Sequence, residues 1–196
     1  MDLCIQCLSS FPMAERENAK WIFPLFDYRH PPIKKALWFF KYKGKKRLVN
    51  IFAETLYDKI MEELSDLATL ENFSNPILIP IPLSKKRYRE RGYNQAELIC
   101  RELIKINNLR HSIDIKLETN ILTKPKDAEH QARIHNRSER LKNILNSFAV
   151  EHEEYIKNRN IILIDDITTT GATLNEARKI LKKSGARKII AFTIAH

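Results

Sequence analysis

Asp165, Asp166, Thr168, Thr169, Thr170, Gly171, Ala172 and Thr173 follow directly on an apolar run in the stretch IILIDDITTTGAT at 161–173. Two adjacent carboxylates can accept hydrogen bonds from the vicinal hydroxyls of a sugar. The hydroxyls and backbone amides after them stand where a strand gives way to a helix, and the unpaired N–H groups and positive dipole end of a helix start suit a phosphate. Gly171 removes the side chain that would hold a phosphate away. The pattern reads as ribose on Asp165 and Asp166 and a 5′-phosphate on Thr168–Thr173. Capping alone explains a lone acidic pair, but four threonines and a glycine, in a chain with only four glycines, exceed what a cap needs. Neither G-x-x-x-x-G-K-[ST] nor G-x-G-x-x-G occurs, so triphosphate and dinucleotide motifs lose support.

Two other stretches carry charge suited to anions. SKKRYRERGYNQ at 84–95 places Lys85, Lys86, Arg87, Arg89 and Arg91 after a proline-rich strand, where they can neutralise a polyphosphate; not all of them can face one ligand. WFFKYKGKKR at 38–47 interleaves Trp38, Phe39, Phe40 and Tyr42 with Lys41, Lys43, Lys45, Lys46 and Arg47, a mixture on which bases stack while phosphates are neutralised. Helical spacing already accounts for Leu37 and Phe40 as core.

These groups need elements to position them. NIILID predicts a strand, TLNEARKILKKSG a helix with Leu174, Ala177 and Leu181 on one face and Gly185 at its end, and KIIAFTIA a second strand. This βαβ unit implies a mainly parallel sheet with helices on both sides, which binds ligands at the carboxyl ends of its strands. NPILIPIPLS predicts a short buried strand closed by prolines, then a loop, SKKRYRERGYNQ, and a helix over AELICRELIKI with Ala96, Ile99 and Leu103 inward. Upstream, Ile33, Leu37 and Phe40, then Leu48, Phe52, Leu56 and Ile60, mark two helices separated at Gly44 that should cover the sheet. A weaker strand pair is expected in SIDIKLETNIL. Residues 1–32 show no sustained periodicity and read as an irregular arm, leaving 33–196 as the folded domain.

Length and composition agree with one such domain. The chain has 196 residues, 43% of them apolar and 30% charged, and a net charge of +10 that favours a polyanionic ligand. No stretch approaches the roughly 18 apolar residues of a membrane helix, and MDLCIQCLSS has no signal-peptide pattern, so the expectation is a cytoplasmic protein without membrane insertion. Three cysteines make no even disulfide framework.

ILIDDITTTGAT resembles the phosphoribosyl pyrophosphate (PRPP) signature of the type I phosphoribosyltransferases. With IKKALWFFKYKGKKRL, IPIPLSKKRYRERGYNQAELI and HQARIHNRSERLKN, the chain is most similar to the ComF family of that superfamily, associated with natural competence and DNA uptake. The resemblance implies the phosphoribosyltransferase fold and an α/β class with an N-terminal extension. It implies that Asp165 and Asp166 are the catalytic acidic pair, that Thr168–Thr173 form the 5′-phosphate loop, and that Leu83, Ser84, Lys85 and Arg87 belong to the pyrophosphate loop. Mg²⁺ would arrive with PRPP, and HQARIHNRSER would be a flap; Gln131, Arg137, Arg140 and Asn143 match family positions in and around it, whereas Lys124 and Arg133 depart from the family pattern. RGYNQ at 91–95 is a family hallmark without a derivable role.

Relatives usually carry two Cys-x-x-Cys pairs that form a zinc ribbon; this chain shows only Cys4 and Cys7, which makes zinc doubtful, since a structural site needs four ligands. The arm then reads as a remnant of that ribbon. Two functions fit the residues: transfer of ribose 5-phosphate from PRPP to an unknown acceptor, or non-catalytic handling of single-stranded DNA with competence-machinery proteins, in which the PRPP site is regulatory or vestigial. Pairing into a homo-oligomer through exposed helices is compatible with both.

Overall fold

The computed structural model describes residues 11–14, 19–43, 46–125 and 147–196. Its centre is a five-stranded, wholly parallel sheet, in the order β1-β7-β6-β2-β3. The strands are β1 (Ile22–Phe26), β2 (Ile77–Pro80), β3 (Lys116–Leu117), β6 (Asn160–Ile167) and β7 (Lys188–Ala195). A separate antiparallel pair joins β4 (Leu122–Thr123) to β5 (Ala149–Val150). Helices α1 (Pro31–Tyr42), α2 (Lys46–Glu71) and α4 (Gln95–Arg110) cover one face, α5 (Ala172–Lys183) lies on the other, and the short α3 (Lys85–Arg91) follows β2.

Alternation along β6 divides the core between the faces. Ile162 and Ile164 pack among Leu37, Phe40, Phe52 and Ile99, whereas Ile161 and Leu163 meet Leu174, Ala177 and Leu181. The helical faces expected from spacing are those the core uses: Ile33, Leu37 and Phe40; Leu48, Phe52, Leu56 and Ile60; Ala96, Ile99 and Leu103 are all buried. Pro31 opens α1 at a position where a missing N–H costs nothing. Gly44 lies outside the described residues.

Pro80 ends β2 for a specific reason. Leu78 accepts a hydrogen bond from Glu118 on the β3 side, and Ile81 donates to Ile164 on the β6 side at 2.8 Å. By alternation Pro80 faces β3, which has already ended at Leu117, so its missing N–H leaves no gap in the ladder.

Three expectations need correction. Ile22–Phe26, read as part of an irregular arm, is a fully buried strand paired with β7 from Ile22↔Ala191 to Phe26↔Ala195. Pro24 obscured it, and an edge strand tolerates a proline. Residues 12–14 then cover its outer side through Ala14 N–H to the Leu25 carbonyl, Asp27 N–H to the Pro12 carbonyl, and a bridge from Met13 to Phe26. The stretch read as a loop, SKKRYRERGYNQ, contains the helix α3, because Ser84 caps it by accepting from the Arg87 amide and Gly92 closes it at φ 77°. SIDIKLETNIL holds the short strand β3 and, at its last residue, the start of β4, but the two join different sheets and do not pair with each other.

Candidate functional site

β6 runs three residues past the apolar run that ends at Ile164, so Asp165 and Asp166 are the two residues before its last, at the carboxyl edge of the sheet. Continuing the alternation, Asp165 belongs to the α5 face and Asp166 to the face of α1, α2 and α4. The two carboxylates therefore flank the strand end instead of lying side by side. Asp165 Oδ1 accepts from the Asp166 amide at 2.8 Å. Burial first, then the charge of Asp166, pushes the Asp165 carboxyl up to about 7, against the pull of that amide, Lys124 and Lys41. Asp166 has a direct partner, with Lys41 Nζ at 3.2 Å from its Oδ2.

The loop after β6 is anchored at its start and open beyond. Thr168 is buried and its amide donates to the Ala195 carbonyl at 2.9 Å, while Thr169 and Thr170 are exposed. Gly171 caps α5 at φ 70°, a left-handed conformation that glycine adopts without strain. A Cβ there would meet Ile22 Cδ1 and Asn175 Nδ2, both at 3.4 Å, so the strand β1 closes one side of the loop. The first intrahelical bond is Asn175 N–H to the Gly171 carbonyl at 2.8 Å, which leaves the amides of Thr173 and Leu174 without an intrahelical acceptor. Ala172 N–H reaches only the Thr170 hydroxyl, at 3.4 Å. The loop thus presents hydroxyls and free amides at the positive end of α5 beside two carboxylates, an arrangement able to receive a phosphate and a polyol together.

β2 is the neighbour of β6, so the turn after it leaves the same edge of the sheet. Leu83 and Ser84 are partly buried in that turn, and Lys85 and Arg87 are exposed on α3. Ser84 spends its hydroxyl on capping, and neither Lys85 nor Arg87 pairs with Asp165 or Asp166. The structure thus brings Asp165, Asp166 and Thr168–Thr173 together, with Leu83–Arg87 on the adjoining strand end. Cys4, Cys7, Gln131, Arg133, Arg137, Arg140 and Asn143 lie outside the described residues.

RGYNQ acquires a structural role. Asn94 caps α4 through the Ala96 amide at 3.1 Å and donates to the Ile81 carbonyl at 3.0 Å. Tyr93 donates to the Phe40 carbonyl, Gln95 to the Lys41 carbonyl at 3.4 Å, and Arg91 to Gln95 Oε1 at 3.0 Å. The segment ties the end of β2 to the last turn of α1. Lys41 and Lys124 are the residues missed at sequence level: Lys41 was noted only as part of a basic, aromatic run and Lys124 only as a departure from a family pattern. Both bear on the acidic pair, and Lys124 also sits 4.8 Å from the Phe148 ring.

Among known proteins, residues 91–196 match the family model described as a phosphoribosyl transferase domain. The chain is 34% identical over 163 residues to competence protein ComFC of Bacillus subtilis, covering 83% of this chain and 59% of that protein. It is 36% identical over 120 residues to competence protein F of Haemophilus influenzae, covering 60% and 49%. DNA utilization protein YhgH of Escherichia coli O6:H1 is 25% identical over 188 residues, covering 95% and 74%. The chain thus spans 59% and 49% of the length of the first two relatives.

Proposed function

We propose, for a chain that belongs to the ComF family of the phosphoribosyltransferase superfamily, that the end of β6 and the loop before α5 bind PRPP. The ribose hydroxyls would donate to Asp165 and Asp166, and the 5′-phosphate would sit against Thr168–Thr173. The observation that carries this reading is Gly171 in its left-handed conformation, opening the amides of α5 directly after an acidic pair. The pyrophosphate would lie toward Leu83, Ser84, Lys85 and Arg87, where cationic side chains face solvent. Mg²⁺ would arrive with the substrate and offset the charge of the pyrophosphate, and Asp165 and Asp166 at the strand end are hard oxygen donors that could hold it. The cytoplasm is the compartment proposed for this activity.

In the transfer reading, the bond from ribose C1 to the pyrophosphate oxygen breaks, pyrophosphate leaves with the electron pair, and an acceptor bonds to C1. This chain's own groups would stabilise that step by charge: Lys85 and Arg87 on the departing phosphates, the carboxylates on the cationic ribose. The names of the relatives, competence proteins and a DNA utilization protein, support a role connected with incoming DNA. Calorimetry with PRPP and Mg²⁺ tests the reading on wild type and on Asp165→Asn with Asp166→Asn, at low and moderate salt. Saturable binding lost in the double variant is expected; equal, salt-sensitive signals from both would sink it. Pyrophosphate release against a panel of nucleobases then reports turnover.

One observation favours single-stranded DNA as an additional ligand. Trp38 and Tyr42 are 49% and 56% exposed on α1, with rings 5.8 Å apart, and Trp38 lines an open groove with Pro31, Lys34, Lys35 and Phe39. Exposed rings beside lysines are a stacking platform for bases. Trp38→Ala should weaken oligonucleotide binding at every salt concentration, and retained affinity would remove α1 from that role.

A further inference from the structure

The acidic pair has a partner that ribose binding leaves unexplained. Lys41 and Asp166 form an ion pair whose side chains are only 19% and 13% exposed. An exposed lysine pays entropy to hold one geometry, and a largely buried pair persists only where both partners are supported. Here the support is unusually specific. Three consecutive residues at the end of α1 are each held by the segment Arg91–Gln95: the Phe40 carbonyl by the Tyr93 hydroxyl, the Lys41 carbonyl by Gln95, and the Tyr42 ring by the Arg91 guanidinium 5.6 Å from its centroid. Asn94 fastens the same segment to Ile81, at the end of the strand next to β6. A continuous set of contacts therefore runs from the turn after β2, through Arg91–Gln95 and the last turn of α1, to the Asp166 carboxylate.

We propose that Lys41 is a positioning residue of this site: its ammonium orients the Asp166 carboxylate toward the ribose hydroxyls, and Arg91–Gln95 hold Lys41 in place. The proposal rests on the PRPP reading above. It follows from charge as well as geometry. PRPP brings two anionic groups to a strand end that already carries two carboxylates, and a fixed cation between α1 and β6 reduces that repulsion. Removing it leaves Asp166 free to turn and the site more negative. The effect would fall on ligand affinity, beyond any effect on folding.

The test is calorimetry with PRPP and Mg²⁺, together with thermal melts, on wild type, Lys41→Met, Lys41→Arg and Tyr93→Phe. Lys41→Met should weaken PRPP about tenfold or more, the loss of one charge-assisted contact. Lys41→Arg, which keeps the charge, should recover affinity to within about threefold, and Tyr93→Phe, which deletes one hydroxyl, should cost about twofold to threefold. A structural tie alone would lower the melting temperature of Lys41→Met while leaving affinity unchanged in the folded protein, and that result overturns the proposal. So does an arginine variant as weak as the methionine one. If Lys41→Met does not fold, Tyr93→Phe carries the test, and unchanged affinity there overturns the proposal. A wild type that fails to bind PRPP overturns the underlying reading instead, whatever the variants do.

Discussion

Asp165 and Asp166 are neighbours in sequence with different electrostatic roles. Lys41 balances Asp166, whereas Asp165 is dominated by burial and by the charge of Asp166, which push its carboxyl up to about 7. The folded chain therefore holds this proton to higher pH than the unfolded chain, whose aspartates titrate near about 4. Its contribution to stability is full below about pH 4 and is lost as pH rises through about 7. Asp165→Asn removes that dependence, so the variant's melting temperature relative to wild type should be higher at about pH 8 than at about pH 4.5. A constant difference across that window would show that Asp165 titrates like an ordinary carboxyl. Gly171→Ala tests the loop at the same scale. Its positive φ should cost about 1 kcal/mol in denaturant melts, and the added Cβ beside Ile22 should weaken phosphate binding at the same time.

At the level of elements, the site depends on junctions more than on the strands themselves. Asn94 makes two tertiary or capping bonds, to the Ala96 amide and the Ile81 carbonyl, from a position 8% exposed. Asn94→Ala should lower stability by about 1–3 kcal/mol, since it uncaps α4 and leaves a buried carbonyl unpaired. Ser84→Ala removes a single, largely exposed cap of α3 and should cost about 1 kcal/mol or less. Urea melts of the two variants check the ranking, and an Asn94 loss no larger than that of Ser84 would mean that the junction is not a tie. The hallmark RGYNQ was legible in the sequence as a conspicuous string without a function. Its partners, Phe40, Lys41 and Ile81, are distant along the chain, so no local pattern could have supplied them.

For the whole molecule, the decisive element is β1. Ile22, Phe23, Leu25 and Phe26 are all buried, Phe23 stacks on Phe192 with ring centroids 5.0 Å apart, and the strand completes the β7 edge of the sheet. A chain starting at residue 33 would expose that edge and the core beneath it. Such a truncation should aggregate or fail to melt cooperatively, whereas a start just before the bridging residues 12–14 should retain the fold; circular dichroism melts of both separate the outcomes. Two independent layers of core, one beneath α1, α2 and α4 and one beneath α5, hold the carboxyl edge between them.

The α/β class, the βαβ unit around the acidic pair and the inward faces of four helices followed from the sequence by itself. Each rests on local information: a period of two or of 3.6, a glycine at a turn, a helix start after a strand end. The motif IILIDDITTTGAT was legible for the same reason, because one strand, one loop and one helix start carry its chemistry. Tertiary structure alone decided that Ile22–Phe26 is a strand, since five buried residues with a central proline show no alternation and find their ladder partner in β7, remote along the chain. It alone decided that Lys41 meets Asp166 across 124 intervening positions, because an ion pair is set by where two faces of the fold converge and leaves no periodic trace in the chain.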